Sequence, residues 1–167
     1  MEVIAQFSKL ASLHPRLLWG DIATAAATVC QDARARLLTL SMHDVPGFAE
    51  EELQLQVDTS RISPTRLARF RQTYDVSRRI ELAAIAVAGL ALYHGGGHEI
   101  RDVASRGTGA DYLVDANSLL EVAGRSRRQD LAACWQDRLA RLQRHEAGFY
   151  LCVVEFETPA GRLAYYS

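Results

Sequence analysis

The sequence predicts an α/β fold in which a mixed central sheet is flanked by helices. Three observations carry that expectation. Helix-like and strand-like patterns alternate through the second half of the chain, as they do in layered α/β domains. One helical stretch, residues 77–93, is apolar nearly all round and belongs inside the protein. The 167 residues are 49% apolar and 23% charged, ordinary for one globular domain that buries about 70% of its unfolded surface. The whole chain, 1–167, is therefore read as a single domain, with 1–75 as a mixed N-terminal extension and 76–167 as its core.

The elements follow in order. Residues 21–36, DIATAAATVCQDARAR, are rich in alanine, and Asp21 is placed to cap a helix over them. LLTLSM, 37–42, is either a strand or the same helix continuing, since short apolar runs suit both. HDVPGFAEEE reads as a loop. LQLQV, 53–57, alternates and reads as a strand with one wet face. Pro64 after Ser63 suits the first turn of a short helix through RLARFRQTY. Asp75 or Ser77 caps the long apolar helix, and HGGGH ends it.

Beyond it, RDVASRGTGADYLVD gives a glycine-bearing turn and a strand, and SLLEVAG gives the partner strand. Ser126 followed by Gln129 has capping-box spacing, opening a helix that runs to about His145. Leu131, Trp135, Leu139 and Leu142 form its buried stripe. FYLCVVEFE is β-rich, PAG is a turn and RLAYY a last strand, exposed enough at a sheet edge to pair with a second copy.

Charge narrows the function. Nineteen basic residues stand against 20 acidic ones, which argues against a non-specific nucleic-acid coat. All the basic residues are arginine except Lys9, as GC-rich codon usage would produce, so any lysine-dependent chemistry must use Lys9. The longest apolar run, LAAIAVAGLALY, is too short to span a bilayer, which takes about 20 residues. MEVIAQFSKL lacks the pattern of a signal peptide. Cys30, Cys134 and Cys152 are far apart with no CxxC pair, so a reducing cytoplasm is the expected compartment.

The hairpin DYLVDANSLLEVAG poses the sharpest chemical question. With a three-residue loop, Val114 lies opposite Ser118 and Asp111 lies opposite Glu121. Leu113, Leu119 and Ala123 then share the acids' face, while Tyr112, Val114, Leu120 and Val122 take the other. A two-residue loop would separate the acids. Like charges directly opposite cost roughly 0.2–1 kcal/mol unless neutralised, and Mg²⁺ is an obvious neutraliser. Two solvent-facing acids at a sheet edge are the plainer reading.

These residues resemble the PD-(D/E)xK, or restriction-endonuclease-like, superfamily, in which a helix precedes a hairpin carrying Asp and then Glu-x-Lys, followed by a helix and another strand. The resemblance covers about residues 76–157. Asp111 matches the first acid, Glu121 the second, and Glu81 the acid often found on the leading helix. It implies a restriction-endonuclease-like core and a site in which Asp111, Glu121 and Glu81 hold Mg²⁺ for phosphodiester cleavage. Ala123 replaces the motif lysine. Arg125 or Gln129 could take over its role, although a guanidinium almost never gives up its proton. The implied catalytic set is then Asp111, Glu121 and Arg125.

The departure at Ala123 favours a degenerate site: a non-catalytic nuclease-fold protein acting in binding or assembly. By family analogy alone, its setting is a bacterial defence or mobile-element system. A live Mg²⁺-dependent nuclease and a structural subunit with no nucleic-acid role are the alternatives. Arg125, Arg127 and Arg128 crowd a helix start, where cations oppose the helix dipole unless an anion joins them, so they are the candidate phosphate-binding residues. A solvated turn beside Asp130 would look the same. The partners in view are another protein, a second copy or nucleic acid, and not a membrane. HGGG lacks a G-x-S-x-G elbow, His94 and His98 are separated by three glycines, and RGTGAD lacks a third glycine; none makes a strong motif.

Overall fold

The computed structural model describes residues 1–167. Eight strands form one mixed sheet: β1 (Glu2–Gln6), β2 (Leu37–His43), β3 (Glu52–Asp58), β4 (Ile100–Val103), β5 (Tyr112–Val114), β6 (Ser118–Arg125), β7 (Phe149–Glu155) and β8 (Ala160–Tyr166). Their order across the sheet is β1-β3-β2-β8-β7-β6-β5-β4. The β1–β3, β2–β8 and β6–β7 pairs are parallel and the remaining four antiparallel. The mixed α/β sheet matches the sequence expectation. The first 75 residues are no appendage, because β1, β2 and β3 continue the same sheet through the β2–β8 pairing.

The helices are α1 (Leu10–Leu13), α2 (Gly20–Asp32), α3 (Pro64–Thr73), α4 (Val76–His94) and α5 (Leu131–Leu142). Two starts follow directly from capping chemistry. Ser63 Oγ accepts the Arg66 N–H at 3.2 Å with Pro64 in the first turn, and Asp75 Oδ1 accepts the Arg78 N–H at 2.8 Å. Two others correct the sequence reading. The alanine-rich helix starts at Gly20, with Asp21 inside its first turn, and ends at Asp32; Arg34, at φ 54°, then turns the chain into β2. At α5 no capping box forms. β6 runs on to Arg125, and a 3₁₀ turn at Arg128–Asp130 separates the exposed Ser126 from the helix.

α4 is the central helix. Most of its apolar residues between Ile80 and Leu92 join Leu38, Leu40, Leu53, Leu55, Leu120, Tyr150 and Cys152 in one core that spans both halves of the sheet, while Leu82 packs apart from it with Ala25 and Phe70. α2 packs beside α4 on that face. α5 covers the opposite face over β6 and β7, burying Trp135 and Leu142 against Leu119, Ala123, Leu151 and Val153, with Leu131 and Leu139 at the margin. The three cysteines are buried and unpaired. β8 corrects the idea of a terminal edge strand: it lies between β2 and β7, and the edges are β1 and β4. An interior place for β8 removes it as a docking edge for a second copy. No helix is long and apolar enough to cross a membrane.

Where β6 meets α4 the backbones come unusually close. A Cβ on Gly124 would lie 2.6 Å from the Ile80 carbonyl oxygen and 3.1 Å from Ala84 Cβ. A backbone oxygen cannot rotate away as a side chain can. Gly124→Ala is expected to lose about 1–3 kcal/mol through overpacking, measured by urea unfolding. A change below about 0.5 kcal/mol would mean that α4 can slide off β6 at little cost.

Candidate functional site

The β5–β6 hairpin adopts the three-residue loop, pairing Val114 with Ser118, Leu113 with Leu119 and Tyr112 with Leu120. The paired register ends at Tyr112–Leu120; Asp111 lies just before the strand, its N–H donates to Leu120 O at 2.8 Å, and its carboxylate is close enough to act on Glu121. The two faces divide as the alternation requires. Leu113, Leu119 and Ala123 join the cluster under α5, while Tyr112, Val114, Leu120 and Val122 join the cluster under α4.

β6 is longer than its partner β5, so its last residues have a free edge on that side. Side chains satisfy part of that edge. Asp111 Oδ2 accepts the Val122 N–H at 2.9 Å, and Arg125 Nη1 donates to its neighbour's carbonyl, Gly124 O, at 2.8 Å. A cleft of about 180 Å³ opens there between α4 and α5. Its walls bring together Arg78, Glu81, Asp111, Arg125 and Arg138.

Glu121 lies buried beneath the cleft, and Arg138 Nη1 on α5 donates to its Oε1. Burial, then the nearby Asp111 carboxylate, push Glu121 up to about 7; the Arg138 charge opposes both and only partly offsets them. Near neutral pH Glu121 therefore holds a proton for part of the time. Arg138 Nε is itself buried without a hydrogen-bond partner.

The remaining predicted residues separate. Glu81 lines the cleft, but Arg78 Nη1 donates to its Oε2 at 3.0 Å, and it does not complete a three-acid ligand set with Asp111 and Glu121. Arg127 and Arg128 are exposed on the turn that precedes α5 and do not line the cleft. Lys9 sits in the 3₁₀ turn Phe7–Lys9 and is not part of its wall. His94 and His98 do not form a metal site; His98 Nδ1 lies 2.8 Å from Asp115 Oδ2 and its Nε2 2.6 Å from Pro46 O.

Sequence reasoning missed Arg138. The signal was present: position 138 is three residues after Trp135 and four before Leu142, on the helix's buried side, where an arginine must have a partner. No protein-family model, curated protein or solved structure matches the chain.

Proposed function

We propose that the chain is a degenerate nuclease-fold protein that acts by binding or assembly and does not cleave phosphodiesters. One observation carries this reading: the positive charge at the Asp111–Glu121 pair comes from the Arg138 guanidinium. A guanidinium stays protonated and cannot prepare a water for attack. The donor set also fits a resident divalent cation poorly. Glu121 is bound by Arg138, Glu81 by Arg78, and one Asp111 oxygen by the Val122 N–H. Mg²⁺ needs freely available oxygens in a near-octahedral set.

The order of elements supports the scaffold part of the reading. α4 precedes the β5–β6 hairpin with its two acids, and α5 and β7 follow, as in the superfamily that the sequence resembles. Within that scaffold, Arg125 in the cleft and Arg127 and Arg128 on the adjoining turn are the surface for an anionic partner. Net charge near zero suits a local contact better than a coat along nucleic acid.

Calorimetric titration with Mg²⁺ and Mn²⁺, paired with cleavage assays on DNA and RNA, tests the proposal. The expected result is no metal-dependent cleavage, with weak anion binding reduced by Arg127→Glu with Arg128→Glu. Metal-dependent cleavage that disappears in Asp111→Asn would overturn it in favour of a working nuclease. No effect of the arginine changes on binding would leave a structural subunit with no nucleic-acid role.

A further inference from the structure

A second cavity, of about 330 Å³, lies away from the acid cleft, between the segment around Phe7 and Ser8, the start of α2 and the loop leading into α3. We infer that it is a binding site for a small organic anion: an apolar body seated against Phe7, Trp19 and Ala23, and a phosphate or carboxylate held by Arg61 and Arg66. The inference stands apart from any reading of Asp111 and Glu121, because the two sites share no residue.

The wall mixes apolar and polar side chains: five of its 11 residues are hydrophobic. Its floor is apolar and fixed: Phe7 is 1% exposed and Trp19 2% exposed, and the Trp19 indole N–H is already held by His14 O at 2.8 Å. Its polar side carries two guanidinium groups and no carboxylate. Neither Arg61 nor Arg66 makes an ion pair. Asp58 feels the charge of Arg61, yet its Oδ1 is bonded to the Ser60 N–H at 3.0 Å and hydroxyl at 2.6 Å.

Two like charges beside a concave apolar surface repel one another unless an anion joins them. Arg66 is also close to the backbone. A Cβ on Gly20 would lie 2.9 Å from its Nη2, so the missing side chain at position 20 leaves the guanidinium room to rest at the pocket wall. The pocket's volume lies at the lower end of the range of about 300–1,000 Å³ usual for small-molecule sites. Bidentate guanidinium contacts supply orientation for a phosphate or a carboxylate.

Calorimetric titration of the intact chain with phenyl phosphate, benzoate and inorganic phosphate decides the matter. Phenyl phosphate or benzoate should bind more tightly than inorganic phosphate, and the tighter of the two identifies the anionic group. Arg61→Ala with Arg66→Ala should weaken that binding at least about tenfold. Both arginines are exposed, and circular dichroism would verify that the variant remains folded. Arg106→Ala with Arg144→Ala, exposed arginines outside both sites, should leave it unchanged. The inference is overturned if neither organic anion binds at millimolar concentration. It is equally overturned if inorganic phosphate binds as well as they do, or if the two arginine pairs have equal effects.

Discussion

His14→Ala is expected to destabilise the protein by about 3–5 kcal/mol. His14 is fully buried, and its ring joins three segments distant in sequence. Nε2 lies 2.8 Å from Gly89 O in α4, and Nδ1 accepts the Ile100 N–H of β4 at 2.9 Å. Because Nδ1 accepts, Nε2 must carry the hydrogen, so the pair of bonds defines one neutral tautomer. Alanine would leave a cavity beside Trp19, whose ring centroid is 5.2 Å away, and two buried backbone groups without this partner. His14→Phe would keep most of the volume and lose both bonds, so it should recover only part of the loss. Urea unfolding measures both variants, and a cost below about 1 kcal/mol for alanine would show that the ring is not a tie between these segments.

The same histidine sets a pH dependence. Burial lowers its pKa below the ordinary 6.5, against weaker opposing effects of Gly89 O, Glu99 and Asp115. The unfolded chain takes up a proton that the folded chain resists, so this contribution to stability is present above 6.5 and declines as pH falls below it. His14→Phe should remove that part of the acid sensitivity.

Arg138→Met should cost about 2–4 kcal/mol at about pH 8 and clearly less at about pH 5. Removing the guanidinium leaves Glu121 buried beside Asp111 without its cation. In the parent protein Glu121 moves from the ordinary 4.5 up to about 7, so the folded state keeps a proton that the unfolded state releases. Its contribution to stability is complete below 4.5, falls as pH rises through about 7, and is level above that. Without Arg138 the fall should continue to higher pH. Glu121→Gln added to Arg138→Met should flatten the profile and restore much of the loss at alkaline pH. An equal cost of Arg138→Met at both pH values would show that the arginine acts by packing alone.

The hairpin register was legible in the sequence because its geometry is local. Three loop residues and a period of two fix which side chains of DYLVDANSLLEVAG share a face. α4 was legible for a similar reason: an apolar run with an aspartate at its head has few other solutions. The missing parts depend on distance. His14 contacts residues 75 and 86 positions away, and no short window contains that information. β4 has four residues, too few to declare a period, and Val103 at its end is 62% exposed. RLAYY resembles an edge strand until β2, about 120 positions earlier, takes its other side. Ser126 and Gln129 have the spacing of a capping box, but that spacing cannot reveal that β6 claims the chain as far as Arg125.

The parallel contact between β2 and β8 has a consequence for synthesis. During translation, β1, β2 and β3 emerge long before β8, so the side of β2 that will meet it stays open through most of elongation. Closure requires a partner made about 120 positions later, and such distant pairing slows folding. Released chains truncated before residue 160 should therefore expose a sticky strand to chaperones, and chains that include residues 160–166 should not.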